Sequence, residues 1–97
     1  MIGGEYMIIE QQNFFNGLDF EEHEFEYSTG KRKCYKGKDG GYYRIDHFGK
    51  SYVVEYAENE KAAKLNQFED ADLYDDGLST DKLIELIQSD LKKYISE

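Results

Sequence analysis

One cysteine and two histidines are the side chains of this 97-residue chain best suited to nucleophilic or metal chemistry. Cys34 lies between Lys33 and Tyr35, and neighbouring positive charge lowers a thiol pKa. No Cys–His arrangement with an orienting third group accompanies it, and strand alternation puts Cys34 on an apolar face, so a small core residue is expected. His23 stands among carboxylates in Glu21-Glu22-His23-Glu24. A metal site needs several ligands converging from defined positions, and the other histidine, His47, falls in an expected turn, so His23 is expected to be exposed. The acidic run Asp70-Ala71-Asp72-Leu73-Tyr74-Asp75-Asp76-Gly77 invites a calcium-loop reading. Started at Asp72, the loop has Tyr74 in its third position, Gly77 rightly in its sixth, and Leu83 where a bidentate Glu belongs; started at Asp70, it has Asp75 where Gly is required. Both registers fail, and a solvated acidic loop is expected. Lys36-Gly37-Lys38-Asp39-Gly40-Gly41 lacks the order of a phosphate loop and precedes no helix, so it reads as a turn. With 21 acids, carboxylate pairs are inevitable and carry no specificity for acid–base catalysis. The expectation is a chain that is not an enzyme, with no cofactor and no metal.

The charge says more. Twelve Lys+Arg against 21 Asp+Glu give a net charge of −9, which argues against direct nucleic-acid binding and against anionic membrane surfaces. The distribution is uneven. Lys31, Arg32, Lys33, Lys36 and Lys38 place five of the twelve basic residues within residues 31–38, leaving 7 − 21 = −14 elsewhere. The acids form two runs, Asp19, Glu21, Glu22, Glu24 and Glu26, then Glu69, Asp70, Asp72, Asp75 and Asp76. A surface polarised in this way attracts a basic partner and speeds encounter, with Tyr27, Tyr56 and Tyr74 as candidate anchors. The alternative is that the acids keep the domain soluble while the tyrosines fill its core.

Nine Tyr and six Phe supply enough apolar area to oppose disorder, and the length allows one domain, residues 1–97. A lone cysteine suits a reducing compartment, here the cytoplasm. No apolar run approaches a membrane span, and Met1 to Glu10 lacks the basic start of a signal peptide.

The elements that must position these residues follow from periodicity. Leu83, Ile84, Ile87, Leu91, Tyr94 and Ile95 form an apolar stripe about 120° wide, predicting a C-terminal helix capped at Ser79 or Thr80. Gly41–Asp46 and Ser51–Tyr56 read as strands joined by a hairpin at 47–50, with Phe25–Ser28 and Arg32–Lys36 as a second pair turning at Thr29-Gly30. Asn59–Leu65 predicts a short helix, and Phe68–Tyr74 reads as either a short strand or an ordered loop. Residues 6–15 favour an N-terminal helix. The fold class is therefore α+β, an antiparallel meander of three to four strands packed against the C-terminal amphipathic helix, with an N-terminal helix and a short helix after the sheet.

Two strings carry a resemblance. Gly41-Tyr42-Tyr43-Arg44-Ile45-Asp46 through Tyr52–Glu60, and Asn66-Gln67-Phe68-Glu69-Asp70-Ala71-Asp72-Leu73-Tyr74 followed by the Leu83–Ile95 helix, resemble small bacterial immunity proteins encoded beside polymorphic-toxin genes. The family known as immunity protein 59 is one candidate. The resemblance covers roughly residues 35–95 and implies a compact α+β fold and a cytoplasmic antitoxin that binds one cognate toxin stoichiometrically. Such families share no catalytic set, so no residue role transfers. The acids and the tyrosine of the second run, Glu69, Asp70, Asp72, Tyr74, Asp75 and Asp76, are then the candidate contacts. The expected partner is a basic toxin such as a nuclease, met by a monomer. A nucleic-acid mimic that inhibits a defence nuclease is the alternative within the same physics, and a small metal-dependent enzyme is the alternative outside it.

Overall fold

The computed structural model describes residues 9–48, 51–74 and 78–95. The expected run Tyr6-Met7-Ile8, the turn at Gly49-Lys50, and Asp75, Asp76 and Gly77 lie outside the described residues. The chain is α+β, with α1 (Gln12–Phe15), β1 (Glu21–Tyr27), β2 (Gly30–Lys36), β3 (Tyr42–Phe48), β4 (Ser51–Ala57), α2 (Glu60–Lys64), β5 (Glu69–Tyr74) and α3 (Thr80–Ile95). The five strands form one antiparallel meander in the order β1-β2-β3-β4-β5. That is one strand more than expected. β5 was ambiguous because its acids equal its apolar residues in number, and its order comes from pairing with β4, Tyr74 opposite Tyr52 and Leu73 opposite Val53. His47 and Phe48 belong to β3 rather than to a turn.

Strand alternation sorts the side chains into two layers. Tyr35, Tyr43, Ile45, Tyr52, Val54 and Tyr74 pack on α1 and α3, while Cys34, Tyr42 and Ala57 meet Ala63 of α2, with Phe25 and Phe68 at the margin. Helix α3 buries Leu83, Ile87 and Leu91, each worth roughly 1.5–3 kcal/mol of removed apolar surface. The Ser79 hydroxyl accepts the Lys82 amide at 3.3 Å, and Asp81 and Lys92 sit at the ends that the helix dipole favours. Helix α2 starts on Asn59, whose side chain accepts from the Ala62 amide at 2.8 Å. It ends with the Asn66 amide bonded to the Ala63 carbonyl and the Gln67 amide to the Ala62 carbonyl, with Asn66 at φ 59°. This C-terminal cap needs a residue that tolerates the left-handed region, and asparagine does.

The sheet has a seam. β2 and β3 pair only at Tyr35–Tyr43 and Lys36–Tyr42. At the level of Lys33 and Ile45, where that register would continue, the Gln11 side chain stands between the strands. It accepts from the Ile45 amide at 2.7 Å and donates to the Lys33 carbonyl at 3.3 Å. Backbone groups exposed by the splay are thereby satisfied.

Next to the seam lies the chain's one pair of buried charges among the described residues. Arg44 is 6% exposed and Glu55 9%, with Arg44 Nε donating to Glu55 Oε1 at 2.6 Å. A terminal guanidinium nitrogen also donates to Asn66 at 2.9 Å, and the Phe68 ring lies 3.9 Å from the guanidinium carbon. The left-handed cap of α2 thus aims Asn66 at the arginine, and the two sequence strings meet here.

Candidate partner-binding surface

The first acidic run and the basic stretch are adjacent strands. Their register sets Glu21 opposite Lys36, Glu24 opposite Lys33 and Glu26 opposite Lys31. Ion pairs add to this between Lys33 and Glu22 at 3.5 Å, Lys38 and Asp19 at 3.1 Å, and Arg32 and Asp46 at 3.5 Å. The basic stretch is therefore no free positive patch. Hairpin pairing brings it against acids that a linear reading counted separately.

The second run is placed differently. Glu69, Asp70 and Asp72 lie exposed on β5, an edge strand paired only with β4. Among the described residues no lysine or arginine forms an ion pair with Glu58, Glu69, Asp70 or Asp72. A register shift between Val54 and Glu55 interrupts the β4–β5 ladder. Glu58, Glu69 and Asp70 there share an open concavity of about 330 Å3 with Tyr56 and Gln67. Leu73, 66% exposed, adds an apolar contact beside the acids.

Tyr74 is not available as a surface anchor. It is 6% exposed, because alternation turns it toward α3, where its hydroxyl donates to Asp90 at 2.6 Å. Tyr27 gives its hydroxyl to the Ala63 carbonyl and tethers α2. Of the three candidate anchors, Tyr56 alone borders the acidic surface.

Tyr56 also walls a second concavity of about 260 Å3, with Asp39, Tyr43, Ala71 and Tyr94. The Tyr43 ring lies 5.0 Å from Tyr56 and 5.7 Å from Tyr94, nearly parallel to the latter. Three hydroxyls of the neighbourhood find carboxylates. Tyr43 donates to Asp39 at 2.8 Å, Tyr74 to Asp90, and Tyr94 to Asp72. Burial first, and these carboxylates second, push the Tyr43, Tyr74 and Tyr94 phenols well above their ordinary range. Burial, with Asp39 and Glu58 nearby, raises Tyr56 as well. Asp39 is held by its turn, accepting the Gly41 amide at 3.0 Å. Gly41 has no substitute here, since a Cβ would stand 2.3 Å from the Tyr56 ring. Alternation placed Tyr43 and Tyr56 on the helix-facing side, but their meeting with Asp39 and Tyr94 has no local signal.

The residues weighed for chemistry are dispersed. Cys34 is buried, and burial pushes its thiol up to about 11, the reverse of activation. His23 is half-buried on β1, 2.7 Å from Glu21 and edge-on to Tyr42, and His47 lies two strands away against Tyr52. Asp70 and Asp72 belong to a paired strand rather than to a wrapping calcium loop. Among the described residues no group of three His, Cys, Asp or Glu side chains is placed to hold a metal ion. Residues 36–41 form the expected turn, closed by the Gly37 amide on the Gly41 carbonyl at 2.9 Å. No helix among the described residues is long and apolar enough to cross a membrane. Comparison with known proteins found no matching family model, no similar curated protein and no similar solved structure.

Proposed function

We propose that this chain is a binding module that neutralises a basic protein by stoichiometric docking, an immunity protein whose partner is a toxin effector such as a nuclease. The observation that carries the reading is the acid of the β5 edge, Glu69, Asp70 and Asp72 with Glu58 beside them. It faces no lysine or arginine of β4, whereas the other acidic run lies opposite the lysines of β2. Acids on an edge strand also deter sheet-to-sheet aggregation, but β1 meets that need with acids that have lysines opposite. The excess at β5 supplies the long-range attraction that steers a cationic protein to one place. The resemblance of residues 35–95 to immunity proteins supplies the word toxin, and it rests on the two residue strings alone. A cytoplasmic site of action belongs to the same proposal.

The test is co-purification with the product of the neighbouring gene, followed by association rates at low and high salt. A one-to-one complex whose association slows about tenfold or more on joint reversal of Glu69 and Asp70 to Lys is the expected result. Asp72 is left intact because it holds Tyr94. An unchanged rate places the interface elsewhere on the molecule.

A further inference from the structure

We propose that the tyrosine-walled concavity at Asp39, Tyr43, Tyr56 and Tyr94 receives the cationic end of a lysine or arginine side chain presented by the partner. The inference rests on the reading of a basic partner and deepens it by naming the point at which that partner is gripped.

Size comes first. About 260 Å3 falls below the range of about 300–1,000 Å3 that holds a drug-sized ligand, and suits the tip of one long side chain. Charge is the second argument. Aromatic faces are the negative part of the ring quadrupole, and three rings converge here. The Tyr43 and Tyr94 hydroxyls donate to carboxylates, which pushes electron density back into the rings and strengthens their attraction for a cation. Asp39 spends one lone pair of each oxygen on Gly41 and Tyr43. A carboxylate offers about four such sites, so acceptor capacity remains for an incoming N–H. Lys38, next to Asp39 in sequence, pairs with Asp19, and Lys93, next to Tyr94, pairs with Asp90.

Rigidity is the third argument. The Tyr56 ring lies against the bare Cα of Gly41, the Tyr43 ring is 3% exposed and fixed by Asp39, and Tyr94 is tied to β5 through Asp72. A pocket whose walls are already ordered loses little entropy on filling. Tyr56 and Ala71 line both concavities, so a basic side chain drawn to Glu69 and Asp70 arrives beside the cage.

The experiment follows tyrosine ring resonances of the whole chain during titration with N-acetyl-lysine amide and N-acetyl-arginine amide. N-acetyl-norleucine amide and sodium chloride at matched ionic strength are the controls. Saturable millimolar shifts at Tyr56 and Tyr94 with the cations, at least about fivefold tighter than with norleucine, are expected. Tyr56→Leu is expected to weaken the cations about fivefold, while Tyr56→Phe, which keeps the ring face, stays within about twofold. Equal shifts from norleucine or from salt alone overturn the inference, as does a Tyr56→Leu variant that binds unchanged. In the partner complex, a Tyr56→Leu loss of about fivefold or more supports it. An unaltered complex overturns it and leaves the neutralisation reading, tested separately at Glu69 and Asp70, in place.

Discussion

The two edges of the sheet carry similar residues and dispose of them in opposite ways. On the β1–β2 side, the hairpin register sets Glu21, Glu24 and Glu26 opposite Lys36, Lys33 and Lys31, and ion pairs tie Glu22 to Lys33 and Asp19 to Lys38. On the β4–β5 side, the neighbouring strand offers Tyr52, Val53, Val54 and Glu55, and the acids stay uncompensated. Net charge therefore says little about where a small acidic domain is acidic. Pairing decides that, and here it leaves the β5 edge with acids that face no lysine of β4.

Removing Arg44 would extend that excess into the core, because Glu55 lies opposite Asp70 in the β4–β5 register. Arg44→Met should destabilise the fold by about 3–5 kcal/mol by stranding a buried carboxylate, with the double variant Arg44→Met/Glu55→Leu recovering much of the loss in urea unfolding. If the single variant loses less than about 1 kcal/mol, charge at this depth is as cheap as at the edges, and the contrast between buried and surface pairs fails.

Alkaline pH probes the β2 side. Burial holds the Cys34 thiol up at about 11 against an ordinary 9.0, and Tyr35 at about 12 against 10.0. The unfolded chain ionises first, so this stability is full below pH 9 and is lost as pH rises from 9 toward 12. The thiol's share is roughly 2–3 kcal/mol. Cys34→Ala should flatten the early part of the decline followed by circular dichroism, and an identical profile would show that the thiol is not protected.

Gln11→Ala opens the seam that joins the two regions. A cost of about 1–2 kcal/mol is expected, together with faster hydrogen exchange at the Ile45 amide, whose acceptor is removed. Uniformly raised exchange across β3 would mean that Gln11 supports the whole sheet rather than the seam.

The smallest stability effects compare the edges directly. Lys33→Glu breaks an exposed pair with Glu22 and should cost under about 1 kcal/mol, whereas Asp70→Lys should cost nothing or stabilise slightly. Partner association should reverse that order, slowing for Asp70→Lys and holding for Lys33→Glu. Equal slowing by both would remove the distinction between the edges.

Much of this architecture was legible locally. The α3 stripe, the alternation of β3 and β4, the Asn59 start of α2 and the core position of Cys34 all follow from spacing within a few residues. β5 was ambiguous because its own residues resist assignment until β4 supplies the ladder. The inward turn of Tyr74 follows from the same pairing, which is why a tyrosine read as an anchor proved to be core. Gln11 carries no pattern at all, as one amide fits any surface.

The sequence by itself determined the α+β class, the apolar faces and the existence of two acidic runs, since helical and strand periods are properties of neighbouring residues. Tertiary structure alone decided which run remained acidic. It also decided that Arg44 would meet Glu55, Asn66 and Phe68, and that Tyr43, Tyr56, Tyr94 and Asp39 would share a cavity. Apart from the Asp39–Tyr43 contact within one turn, these join residues 11 to 55 positions apart, and charge, unlike periodicity, takes its value from whatever the fold sets opposite it.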